Sequence, residues 1–174
     1  VLLAVAGCDT NAQGAEALPS RAASTEAAPR TSAPTKVTVG SKGLKTLHVG
    51  DTYSGKQVKI KLYKVDQPFG VAGSDDRFLA ALVRTCVVDT NGKRGVELSW
   101  SPWSVVDAEK ESHRSTDEVY EEFPLPQYPQ DWEDAPTFRA GDCAKGWIVF
   151  PSGDAGVSEL RYRGPRGDKA TWKV

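Results

Sequence analysis

The chain has 174 residues, of which 39% are hydrophobic and 26% charged, with a formal net charge of −1 at pH 7. That length holds one domain of ordinary size plus a tail, and the composition is that of a chain able to bury a core. The near balance of acids and bases argues against nucleic acid as a partner, because a phosphate-binding surface normally shows as a basic excess.

The first segment, VLLAVAGC, runs through apolar residues to Gly7-Cys8. It is too short to span a bilayer, which takes about 20 apolar residues. It reads as the tail of a signal-peptide h-region, and since the chain has no methionine, even at position 1, the start of that leader is expected to be missing. Val5-Ala6-Gly7-Cys8 resembles the bacterial lipobox, where small side chains let a peptidase reach the backbone and the cysteine thiol takes a lipid. The expectation is that residues 1–7 are a truncated lipoprotein signal peptide and that Cys8 is the lipidated first residue of the mature chain. A buried first strand with an incidental cysteine is the alternative. Residues 8–43, rich in Ala, Ser, Thr, Pro and Glu, cannot bury enough surface to offset their ordering entropy. They are expected to form a disordered tether, which suits an anchor better than it suits a strand.

The folded body is expected over 44–174. In GKQVKIKLYKV, Val58, Ile60 and Leu62 alternate with Lys59, Lys61 and Tyr63, the period of a half-buried strand; its lysine-bearing face suggests a place near a sheet edge. RFLAALVRTCVVDTNG is apolar on both parities and closes at Asn91-Gly92, which predicts a central strand entering a turn. GVELSWSPWSVV is interrupted at Pro102, so a bend or bulge is expected there. TFRAGDCAKGWIVFP predicts a turn at Gly141-Asp142 and a strand through Trp147 and Phe150. VSELRYRG and KATWKV predict two further strands. Short strands between turn signals, with no amphipathic helix, predict an antiparallel β-sandwich, a small closed barrel being the alternative.

LHVGDTYSGKQVKIKLYKV, VVDTNGKRGVEL, FRAGDCAKGWIVFP and LRYRGPRGDKATWKV together resemble the immunoglobulin-like domain of unknown function common in bacterial lipoproteins. That group includes the secreted immunogenic immunoglobulin-like protein of mycobacteria. The resemblance runs from about Leu47 to Val174 and implies an immunoglobulin-like sandwich displayed outside the membrane, with no established activity. The chain departs from the pattern in an acidic insertion over 107–135 and in having a cysteine at 143. Cys86 and Cys143 both fall in predicted strands, and outside the cell their expected fate is a disulfide joining the central strand to the GWIVFP strand.

Few residues suggest chemistry. His48 and His113 are far apart and no zinc spacing is present, so neither a metal nor any other cofactor is expected. The Gly-x-Ser-x-Gly elbow and the Walker glycine loop are also missing from the sequence, and GVAGSDD reads as a loop. Trp100, Trp103, Trp147 and Trp172 read as core or rim aromatics rather than a sugar platform.

The insertion is the one unusual surface feature. Its candidate binding residues are Glu118, Tyr120, Glu121, Glu122, Tyr128 and Trp132, acids interleaved with aromatics and prolines. A solvated loop across one end or edge of the sandwich is the plainer reading. Calcium is conceivable, though no Asp-x-Asp-x-Asp-Gly pattern occurs. The expected function is that of a non-enzymatic, lipid-anchored module outside the cytoplasm. Its partners would be the membrane, through the anchor, and a cell-surface protein or small ligand. The alternative is an envelope enzyme or enzyme accessory using the insertion's carboxylates.

Overall fold

A computed structural model describes residues 46–66, 68–73, 75–130, 135–153, 156–164 and 166–174. The expected leader, the expected lipidation site Cys8, the expected tether and Trp132 lie outside the described residues. The described residues form twelve strands and no helix, in an immunoglobulin-like sandwich.

One sheet, called A here, contains β1 (Leu47–His48), β7 (Trp103–Asp107), β8 (Ser112–Arg114), β11 (Val157–Arg163) and β12 (Lys169–Lys173), in the order β1-β12-β11-β7-β8. The other, sheet B, contains β2 (Thr52–Ser54), β3 (Val58–Val65), β4 (Phe69–Gly70), β5 (Arg77–Val87) and β10 (Cys143–Pro151). Its order is β10-β5-β3-β2, and β4 pairs with β5. A two-strand ribbon, β6 (Val96–Glu97) with β9 (Thr137–Phe138), stands apart. The lysine-bearing β3 lies one strand in from the edge, with β2 covering part of its outer side.

Alternation along the strands builds the core. Val58, Ile60 and Leu62 of β3 and Leu79, Ala81 and Val83 of β5 face Trp103, Val105, Leu160, Tyr162 and Trp172 of sheet A. Trp103 is the hub: its ring stacks on Trp172 at 5.9 Å between centroids and meets Tyr162 edge-on at 5.0 Å. Such aromatic pairs contribute about 0.5–1.5 kcal/mol each beyond the area they bury.

A buried carboxylate ties the two sheets together at one end. Asp168, in the β11–β12 turn, accepts the backbone N–H groups of Lys56 and Gln57 at 2.8 Å and of Val58 at 3.2 Å. The Tyr53 hydroxyl donates to the same carboxylate at 3.3 Å and accepts from the Lys169 backbone N–H at 3.2 Å. Burial, with the Asp168 charge beside it, raises the Tyr53 phenol above its ordinary value. Gly55 makes the approach possible, since a Cβ there would lie 2.6 Å from the Asp168 Cγ.

The Asn91-Gly92 turn forms, with φ of 50° and 75°, the left-handed pair that this dipeptide favours. Trp100 to Trp103 turns at Pro102, closed by the Trp103 N–H on the Trp100 carbonyl at 2.9 Å. The Cys86–Cys143 disulfide is present, and the two cysteines are direct register partners on β5 and β10. It therefore staples neighbouring strands of one sheet rather than joining the two sheets.

Candidate functional site

The stretch expected as a single insertion does two different things. Its first part, Asp107 to Arg114, is the β7–β8 hairpin of sheet A. From Ser115 the chain crosses to sheet B, where the Thr116 N–H donates to the Val149 carbonyl at 3.0 Å. It then lies against the outer face of that sheet. Phe123 is buried among Phe69, Phe78, Ala80 and Val149, meeting Phe78 at 5.2 Å, and the half-buried Tyr120 packs beside it. This explains why β5 is apolar on both parities: Leu79 and Ala81 face the main core, while Phe78 and Ala80 face the insertion.

Further along, the chain runs beside β10. The Trp147 N–H donates to the Pro126 carbonyl at 2.9 Å, and the Tyr128 N–H donates to the Trp147 carbonyl at 2.8 Å. Gly146 permits this contact, because a Cβ there would lie 2.5 Å from the backbone of Gln127 and Tyr128. Tyr128 then turns into the main core, 1% exposed and 6.4 Å from the Trp103 ring. Burial raises its phenol well above the ordinary value.

These positions sort the expected binding residues. Tyr128 must be withdrawn from the surface: an aromatic ring gains more from a dry core than from a wet loop, and the backbone bonds to β10 aim it inward. Glu118, Glu121 and Glu122 are exposed. The Tyr120 hydroxyl donates to Glu118 at 2.8 Å, and the Glu122 carboxylate accepts the Ala72 N–H at 3.2 Å. The hydrogen bond to Glu118, with burial second, raises the Tyr120 phenol. The plainer expectation of a solvated loop is likewise corrected, since Phe123 and Tyr128 both lock the segment down.

Two features escaped the sequence reading. In the β7–β8 hairpin, Asp107 is buried and its carboxylate accepts the Glu111 N–H at 2.8 Å. His113 Nε2 lies 2.8 Å from the second oxygen, and this contact holds the Asp107 carboxyl below the usual carboxylate range. Asp107, Glu111 and His113 each offer a ligand atom within 4.8 Å of one another, a set of two carboxylates and an imidazole that suits a divalent transition metal. The hydrogen bonds already account for the geometry as a clasp that closes the hairpin. The second feature is an open groove of about 980 Å³ beside the Trp100–Trp103 turn, lined in part by Trp100, Ser104, Arg114, Asp117 and Arg163. Its guanidinium and hydroxyl groups can donate to an oxyanion. The trace of the first feature in the sequence is the run DAEKESHR, whose residues meet only once the hairpin is formed; the groove lies beside the expected Pro102 bend, and its Arg114 and Arg163 come from strands far apart in the chain.

No protein-family model matches the chain, and no curated protein matches it by sequence. Its fold does match solved structures. MPT63, a secreted protein of Mycobacterium tuberculosis, is similar with a TM-score of 0.56 and 13% identity over 77% of this chain and 100% of that one. The yjhA protein of Bacillus subtilis is similar with a TM-score of 0.54 and 13% identity over 74% of this chain and 99% of that one. The chain shares a fold with both.

Proposed function

We propose that this protein is an extracytoplasmic interaction module, carried on the membrane by a lipid at Cys8, that binds a partner rather than transforming a substrate. One observation carries the choice between binding and catalysis. Glu118 and Glu122 are exposed and each is already engaged within the fold, by the Tyr120 hydroxyl and the Ala72 N–H, whereas paired acid–base chemistry needs two carboxyl groups free to aim at one substrate atom. The contact surface is then the rim made by Glu118, Glu121 and Glu122 around Tyr120. The Cys86–Cys143 disulfide supports a place outside the cytoplasm, because such bonds persist in oxidising compartments. MPT63, similar in fold, is itself described as secreted.

Crosslinking in intact cells, comparing the native chain with Glu118→Lys/Glu121→Lys, tests the rim. The expected result is loss of a specific crosslinked species with the thermal midpoint unchanged, and retention of that species overturns the assignment. Deleting the whole segment would be a poor control, since it strips Tyr128 from the core. Detergent phase partition tests the anchor: Cys8→Ala should move the protein to the aqueous phase, and unchanged partition sinks the lipid.

A further inference from the structure

The outer face of sheet B holds an arrangement that folding alone does not favour. Lys61 of β3, Arg84 of β5 and Lys145 of β10 are direct register partners across three neighbouring strands. Lys59 stands in the next row on the same face, opposite Cys86. Like charges placed directly opposite each other destabilise a sheet. Among the described residues none of these four cations has a carboxylate partner; Lys64, by contrast, pairs with Asp66. Tyr63 softens the row without neutralising it, with the ammonium of Lys61 at 4.8 Å and that of Lys145 at 5.0 Å from its ring centroid. Lys64 lies 5.6 Å from the Trp147 ring on the same face.

At the margin of this face, beyond the exposed Glu121 and Glu122, one large apolar side chain stands open. Leu125 is 77% exposed, two residues before Gln127, whose backbone bridges Trp147. The face therefore offers a plane of cations, two half-buried aromatic rings and a protruding leucine. Strand spacing sets the backbones that carry neighbouring cations of the row about 4.8 Å apart, so that the three side chains can act on one anionic surface together. A soluble polyanion would satisfy the cations and leave Leu125 with no counterpart. A lipid interface satisfies both, with headgroup phosphates for the cations, acyl chains for the leucine and the boundary zone for tyrosine and tryptophan.

We propose that the Lys59–Lys61–Arg84–Lys145 face of sheet B docks on an anionic phospholipid surface, with Leu125 entering the boundary between headgroups and acyl chains. The docked domain would lie flat on the bilayer. This setting rests on the anchored reading above, but the contact itself needs no lipid on the protein.

The test uses the full chain with Cys8→Ala, which cannot be acylated, so its outcome is independent of the anchor. Cosedimentation is measured with phosphatidylcholine vesicles, with and without phosphatidylglycerol. The expected result is binding to the anionic vesicles alone, weakening as salt rises. Lys61→Gln/Arg84→Gln/Lys145→Gln in that background should lower the partition on the order of a hundredfold, as three surface cations imply. Its thermal midpoint should hold or rise, because a like-charge row has been removed, which separates lost docking from lost folding. Leu125→Ser should weaken binding with little change in the salt dependence. Equal binding to both vesicle types, or equal binding by the triple variant, overturns the proposal. So does tight, Arg84-dependent binding of soluble polyphosphate with none to the anionic vesicles, which would make the face a polyanion site.

Discussion

The outer faces of the two sheets differ in what stands among their central cations. On sheet A, Glu159 stands among them: Arg161 donates to its carboxylate at 2.7 and 2.9 Å, and Lys173 donates at 2.5 Å. On sheet B, Lys61, Arg84 and Lys145 sit in one row with an aromatic ring for company. Around Glu159 the charges of sheet A are thus neutralised within the fold, although Arg163 and Lys169 face each other as register partners at the end of the same hairpin; on sheet B the row of three runs across the middle of the sheet with no carboxylate beside it among the described residues. What holds sheet B together is the Cys86–Cys143 staple and the segment packed on its far half. A net charge near zero conceals this segregation, because the overall sum is blind to placement.

The largest expected effect comes from removing the staple. Cys86→Ser/Cys143→Ser frees a loop spanning a sequence separation of 57, and should cost about 3–5 kcal/mol in chemical denaturation. A loss under about 1 kcal/mol would mean that the staple is not what opposes the row. Next is Tyr128→Ala, which opens a cavity beside Trp103 and undocks the segment from β10. Truncation of a buried aromatic costs about 3–4 kcal/mol, and amide exchange should report early opening at Trp147.

The sharpest test of the contrast is smaller. Arg84→Gln on sheet B should raise stability by about 0.5 kcal/mol, while Arg161→Gln on sheet A should lower it by a similar amount. Equal signs in parallel urea melts would erase the distinction between the faces. The smallest effect is acid dependence. Lys173, and after it Arg161, hold the Glu159 carboxyl below its ordinary value, as His113 does for Asp107. A carboxyl with a folded value below the unfolded one stabilises above about pH 4.3, and that contribution is lost as pH falls through the folded value. Stability should therefore decline at acid pH, and Glu159→Gln should flatten the decline. Replacing Lys61, Arg84 and Lys145 by Gln should leave the acid limb as it was.

What could be read from the sequence was whatever lies within one strand or one turn. The alternation of β3, the Asn91-Gly92 turn, the bend at Pro102 and the closing β11–β12 hairpin are local patterns, and the structure contains each of them. The cysteine pair was also legible, because both residues fell in strands and the third cysteine had another expected fate. The rest depends on register. Lys61, Arg84 and Lys145 are far apart in the chain and align only after three strands pair, so no window of sequence shows the row. Asp168 is similar: a carboxylate in a Gly-rich turn looks like solvent-facing loop chemistry until the turn after β2 arrives to donate its N–H groups. The acidic segment misled for a related reason. Its charges are conspicuous, but Phe123 and Tyr128 decide where it lies, and two aromatics outweigh many solvated carboxylates.

Gly146 is the small feature with the widest reach. Its missing side chain lets Gln127 and Tyr128 lie against β10, so the hydrogen-bonding groups at Trp147 are taken by the same molecule. An open strand there would be a template for a neighbour's backbone. By taking up these groups itself, the chain withdraws the Trp147 stretch of β10 from pairing with a neighbour's backbone.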